Sequence, residues 1–201
     1  MTPVAAAPYL PLSFFARPTD RVARDLLGAV LTSRVGRRVV SGRIVETEAY
    51  LGRDDPASHG YRLRRTPRNA ALFEAPGTWY VYLSYGVHWC SNLVCEAAGS
   101  GAAVLIRALE PLEGIPLMRR RRGGAVTDRA LCSGPGKLCQ ALAITKRLDG
   151  KTMPSAVVTV SLGDVVPQTR ILVTPRIGIT KAADWPLRFV MAGSPWASTA
   201  A

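Results

Sequence analysis

Apolar and polar positions alternate with a period of two over several short stretches of this chain and follow helical spacing over only a few. The segments 29–33, 38–48, 78–83, 87–94 and 103–108, each rich in β-branched or aromatic residues, read as strands. Residues 18–28 carry a capping residue, apolar positions at helical spacing and a terminal glycine, which reads as a short helix. Further helices are expected over 111–122 and 128–143, the second preceded or interrupted by the turn Ser133-Gly134-Pro135-Gly136. The regions 151–158 and 159–173 read as strands or loops, and the ending, TPRIGITKAADWPLRF plus GSPW, is punctuated and basic. Residues 1–14 read as an extended arm, leaving 15–201 as one domain, because no repeat or low-complexity linker marks a boundary. Between the second and third strands lies LGRDDPASHGYRLRRTPRN, residues 51–69, and a polar loop of that length inside a compact domain is functional or disordered.

The second strand ends in RIVETEAY, residues 43–50. Alternation puts Ile44, Glu46, Glu48 and Tyr50 on one face and Val45 and Ala49 on the other. Inside a packed core the two acids must be neutral or paired, since burying an uncompensated carboxylate is strongly unfavourable. In a cleft each raises the other's proton affinity, which suits acid or base chemistry. A wet sheet face paired with some of the many arginines satisfies the pattern equally well.

Tyr80 and Tyr82 share a strand face, and Tyr85 stands beside Gly86, where a turn would thrust its ring outward. Ordinary sheet packing accounts for such rings singly. Charge changes the picture: 26 Lys and Arg against 14 Asp and Glu give a net +12 and a pI near 10.3. A basic surface rich in arginine attracts phosphate, so exposed rings become candidates for stacking on bases or wedging between them. His59, in the polar loop beside Asp55 and several arginines, is a candidate donor to a base edge or phosphate, whereas His88 lies in a strand. Gly134-Pro135-Gly136-Lys137 looks like the tail of a triphosphate-binding loop but lacks its earlier glycine and following Ser or Thr; a glycine turn of this kind still suits a DNA phosphate. Cys90, Cys95, Cys132 and Cys139 do not have zinc-knuckle spacing and read as small buried thiols. No apolar run is long enough to span a bilayer, and the start lacks a basic leader, so a cytoplasmic protein is expected. Serine-hydrolase elbows and dinucleotide fingerprints are missing.

Several long motifs in one order, from about Arg21 to Trp196, carry a more specific signal: RIVETEAYLG, ASHGYRLRRTPRNAALFEAPGTWYVYLSYG, the strand containing Asn92, VLIRALEPLEG, LCSGPGKLCQALAI, and TPRIGI with PLRF and GSPW. Together they resemble the alkyladenine (3-methyladenine) DNA glycosylases. The resemblance implies a mixed α/β (α+β) domain with a curved, mostly antiparallel, open-barrel-like sheet and flanking helices. It also implies a monomer that rotates an alkylated or deaminated purine out of double-stranded DNA and hydrolyses its N-glycosidic bond without metal, cofactor or lyase activity. On this reading Glu48 is the general base, Arg107 helps hold the attacking water, and Tyr50, His59, Tyr82 and Asn92 line the base pocket. Tyr85 fills the gap left in the stack, and Arg64, Arg68, Lys137 and Arg176 are the expected DNA contacts. Glu46 receives no role, and His88 stands where relatives carry an aromatic residue. The competing expectation is a basic DNA-binding module that senses lesions without cutting a bond.

Overall fold

The computed structural model describes residues 7–199. In chain order the elements are α1 (Leu12–Phe15), α2 (Thr19–Asp25), β1 (Val30–Val35), β2 (Arg38–Tyr50), β3 (Trp79–Ser84), β4 (His88–Cys95) and β5 (Ala102–Glu113). They continue with α3 (Ile115–Arg121), α4 (Asp128–Leu131), α5 (Pro135–Leu142), β6 (Val158–Ser161), β7 (Ile171–Thr174) and β8 (Arg188–Met191). The strands form one antiparallel sheet in the order β3-β4-β5-β2-β1-β6, curled into a half-barrel, with β8 and β7 joined to the free side of β2.

The long strand β2 organises the rest. Arg38–Arg43 pair with β1, Ser41–Tyr50 pair on the other side with β5, and Glu46–Glu48 pair on the side away from β5 with Arg188–Val190 of β8. The sheet separates two kinds of residue. Val81, Leu93, Val104, Ile106 and Ala49 join α1, α2 and α5 in the main core, while Tyr80, Val94 and Ala103 face a second, smaller cluster with Phe73 and Tyr82. These sets have opposite parity along each strand, as a pleated sheet requires.

Parity breaks at one place that matters. Ile44 pairs with Leu109 and Glu46 with Ala108, so Val45 is an extra residue on β2; Thr47 then pairs with Ile106, so Arg107 is an extra residue on β5. Bulges turn a strand and re-aim its side chains. In consequence Ile44 joins Ala49 in the main core, contrary to the face expected from simple alternation. Arg107 is turned towards the acids of β2.

Other expectations need correction. The helix read over 111–122 begins only at Ile115, because β5 continues to Glu113 by pairing with Ser41. The corner is Gly114, at φ +76°, where a Cβ would lie 2.5 Å from the Val39 carbonyl. Over 128–143 the turn at Ser133-Gly134 interrupts the helix, one of the two arrangements expected there, and leaves α4 and α5 on either side with Gly134 at φ +144°. The punctuated, basic ending contributes strand β8. Residues 1–6 of the expected arm lie outside the described residues, and Leu12–Phe15 is a helical turn whose Phe15 enters the core.

Candidate active site

Cross-strand register sets the site out in rows on one sheet face. Glu48 lies opposite Leu105, Leu105 opposite Asn92 and Asn92 opposite Tyr80, while Tyr50 lies opposite Ala103 and Tyr82 opposite Cys90. Residues in register present side chains to the same face, so β2, β5, β4 and β3 jointly build one wall. A cavity of about 470 Å³ opens against it, lined by Tyr50, His59, Tyr82, Asn92 and Arg107 among others, with Tyr85 at its rim.

The opposite wall is the polar loop, which is ordered by its own side chains. Asp55 accepts the backbone N–H groups of Leu51 and Ala57, and Asn69 accepts from Thr66 while donating to the His59 and Arg64 carbonyls. Gly60 lies so close to the strand entry that a Cβ there would be 2.2 Å from the Gly101 carbonyl. Thus pinned, His59 places Nδ1 2.7 Å from the Tyr80 hydroxyl and its ring edge-on to Tyr82, centroids 4.6 Å apart. Tyr80 and Tyr82 stack at 5.3 Å. Burial, then the nearby Arg68, lowers the His59 pKa, which favours a neutral imidazole with one donor and one acceptor.

Glu48 is fully buried just behind the cavity wall, and every group that touches it lines the cavity. Its Oε2 accepts from the Tyr50 hydroxyl at 2.9 Å and Arg107 Nη1 at 3.1 Å, and its Oε1 accepts from the Ile177 backbone N–H at 2.8 Å. A carboxylate has about four acceptor positions, so three donors leave one on Oε1 for a small molecule such as water. Desolvation raises the Glu48 pKa and outweighs the lowering by Arg107, Ile177 and Tyr50. Burial and the adjacent carboxylate push the Tyr50 phenol strongly up, so it stays a proton donor.

Glu46, one pleat away, differs completely. It accepts from Arg107 Nε at 3.1 Å, Arg188 Nε at 2.8 Å, and Ser198 through both Oγ at 2.8 Å and backbone N–H at 2.6 Å. Burial would raise its pKa, but these donors together hold it below the usual carboxylate range. The two acids therefore share a face but not an environment.

The remaining expected residues fall in different places. Asn92 is buried at the cavity and donates to the Tyr80 carbonyl at 3.0 Å. Tyr85, with φ +50°, and Gly86, with φ +72°, are the central residues of the tight turn in the three-residue connection between β3 and β4, closed by the Val87 N–H on the Ser84 carbonyl; the Tyr85 side chain is 91% exposed. Arg68 is exposed at the cavity rim and Arg64 is exposed on the same loop. Lys137 is exposed near the start of α5, 3.4 Å from Ser133 Oγ. Arg176, expected on DNA, is instead wholly buried: it forms an ion pair with Asp55, donates to the Ala49 carbonyl and stacks 4.7 Å behind the Tyr50 ring. Its charge braces the pocket wall from inside and has no surface to offer a phosphate. His88 is exposed and packs against Gly136.

Sequence reasoning missed Tyr80 as the partner of His59, although its parity with Tyr82 carried that signal. It also missed Ile177, Arg188 and Ser198, which act on the acids from distant segments; Ile177 lies in TPRIGI and Arg188 in PLRF, so those two motifs carried a signal, whereas Ser198 lies in none. The four cysteines are buried and free, and among the described residues no cluster of three His, Cys, Asp or Glu could hold a metal. Burial pushes the Cys132 and Cys139 thiols up to about 12. No described helix is long and apolar enough to cross a membrane.

Known proteins share this arrangement of sequence. Residues 13–195 match the family model for methylpurine-DNA glycosylase. A Rhodopseudomonas palustris (strain BisB18) protein named as a 3-methyladenine DNA glycosylase is 50% identical over 191 residues, covering 95% of this chain and 91% of its own. The human DNA-3-methyladenine glycosylase is 46% identical over 203 residues, covering 94% of this chain and 67% of the human protein. The mouse protein of the same name is 46% identical over 200 residues, covering 92% of this chain and 60% of its own. With a match across most of the chain and half the residues shared, this protein belongs to the methylpurine-DNA glycosylase family.

Proposed function

We propose that this protein excises alkylated or deaminated purines of the 3-methyladenine, ethenoadenine and hypoxanthine type from double-stranded DNA, with Glu48 activating the water that breaks the N-glycosidic bond. The observation that carries this reading is a buried carboxylate with raised proton affinity, touched by Arg107 and Tyr50 at the edge of an aromatic cavity.

Cleaving the bond develops positive charge on the sugar, so an ionised carboxylate nearby stabilises the transition state while it accepts the proton of water. Desolvation makes Glu48 a stronger base than a surface glutamate. Arg107, reaching from β5 to Glu48, is positioned to hold the same water. The products balance: hydroxide equivalent adds to the sugar carbon, and the freed base leaves with the bonding electron pair. For a purine alkylated at N3 or N7 the positive charge already present makes it a good leaving group, and the faces of Tyr50 and Tyr82 suit an electron-poor ring. Asn92, buried and locked to the Tyr80 carbonyl, would collide with the exocyclic amino group of guanine.

Glu46 is a poor alternative base, since it is saturated by Arg107, Arg188 and Ser198, of which only Arg107 lines the cavity. Lys137 sits outside the cavity lining, which argues against an amine nucleophile and for a monofunctional enzyme. The acid at position 48 argues against the non-catalytic lesion-sensing module. As working proposals, the protein acts as a monomer in the cytoplasm, uses no cofactor, and meets phosphates through Arg64, Arg68 and Lys137.

Incubation with duplexes carrying hypoxanthine, ethenoadenine or 3-methyladenine should release free base from at least one and leave a strand that breaks only after alkali. No release from any of the three would overturn the reading, and breakage without alkali would mark a lyase.

A further inference from the structure

The chemistry proposed above leaves one buried charge without a task. Glu46 is completely inaccessible, yet it collects four hydrogen bonds, two of them from Ser198, which lies 152 residues further along the chain. Arg188 is tied to the same segment, its Nη2 donating to the Thr199 hydroxyl at 3.1 Å and carbonyl at 3.3 Å. Arg107 divides its guanidinium between the acids, Nε on Glu46 and Nη1 on Glu48. Where Arg107 sits therefore depends on where Glu46 is held.

We propose that residues 197–199 form a latch that fixes Glu46 and, through the shared Arg107, sets the geometry of the Arg107–Glu48 pair, with Ser198 as a positioning residue. The inference rests on the reading of Glu48 as the base. The charged groups facing Glu46 are Arg107 from β5, Arg188 from β8 and Glu48 on its own strand. Against burial, which pushes its pKa up, the Ser198 N–H is the largest opposing influence, followed by Arg188, the Ser198 hydroxyl and Arg107. Losing a Ser198 donor restores part of that burial penalty, so Glu46 takes up a proton at higher pH. A neutral Glu46 releases Arg107 Nε, and the guanidinium no longer holds its orientation towards Glu48. Ser198 does not line the cavity, so lesion binding is unaffected.

The test compares the parent with Ser198→Ala, Ser198→Pro, Ser198→Thr and Glu48→Gln on one lesion duplex, following kcat, KM and the acid limb of the rate across pH. Removing the hydroxyl takes one hydrogen bond from a charged group, so Ser198→Ala should lower kcat about tenfold and move the acid limb to higher pH with KM unchanged. Ser198→Pro, which lacks the N–H, should lose more, and Ser198→Thr, which keeps both donors, should restore rate and limb. Parent-like kcat and limb in Ser198→Ala would overturn the latch even if Ser198→Pro fails to fold. So would a rise in KM alone. An inert Glu48→Gln beside parent-like Ser198 variants sinks the latch only, whereas a turning-over Glu48→Gln sinks both readings.

Discussion

Glu46 and Glu48 are two residues apart on one strand, and the difference between them is made entirely by donors from elsewhere. Glu48 meets desolvation with too few partners and its pKa rises; Glu46 meets it with Ser198, Arg188 and Arg107 and its pKa falls. These directions have opposite consequences for stability. Glu46, depressed in the folded state, contributes stability above its unfolded value, and this is lost as pH falls through the folded value. Glu48, raised in the folded state, weakens the fold while ionised; that cost starts to shrink as pH falls through its folded value and is gone below its unfolded value. Relative to Glu48→Gln, which cannot titrate, the parent should therefore gain about 1.4 kcal/mol for each unit by which the Glu48 pKa is raised. Urea unfolding of both proteins from about pH 8 to about pH 4, below the ordinary glutamate value, measures this, and a difference that stays flat would contradict it. The sequence made both acids visible and placed them on one face, but their separate fates depend on Ser198, Arg188 and Ile177, whose contacts with the acids are set by the tertiary fold even where, as in PLRF and TPRIGI, the residues lie in motifs.

At the scale of elements, strands were the most legible feature because each carries its own alternation. The bulges at Val45 and Arg107 were not, since a bulge is a property of two strands together and leaves no mark in either alone. The same reason hid the continuation of β5 to Glu113, where pairing with β2 overrides the helical spacing of 111–122. The hairpin of β3 and β4 was legible, because Tyr85-Gly86 is a turn signal that puts a ring at the tip. With its side chain 91% exposed, Tyr85 contributes little to the fold. Tyr85→Ala should change unfolding stability by no more than about 0.5 kcal/mol. As the proposed wedge, however, its loss should weaken binding to lesion duplex while hydrolysis of a base in single-stranded DNA is spared. Equal loss on both substrates would remove the wedge role. The polar loop posed a choice between function and disorder, and Asp55 and Asn69 decide it by ordering the loop from within. Arg176, a DNA contact expected from the family resemblance, is held instead by Asp55 under Tyr50, a burial that its place in the sequence does not reveal.

For the molecule as a whole, the half-barrel presents one aromatic cavity beside an exposed ring and a rim containing Arg68, and the net +12 supplies the long-range attraction to a polyanion. Inside, charges are matched: Asp55 with Arg176, and Glu46 and Glu48 with Arg107 and Arg188. Matching of this kind lets one carboxylate be kept basic while its neighbour is held ionised. Whether Glu48 is the base is read most directly from the single-turnover rate of base release from a hypoxanthine duplex as a function of pH, for the parent and Glu48→Gln. The account requires the parent rate to fall as acid protonates Glu48, and Glu48→Gln to bind equally tightly but react about 10²–10⁴-fold more slowly, without that acid limb. A Glu48→Gln rate within tenfold of the parent, falling with the same limb, would contradict it.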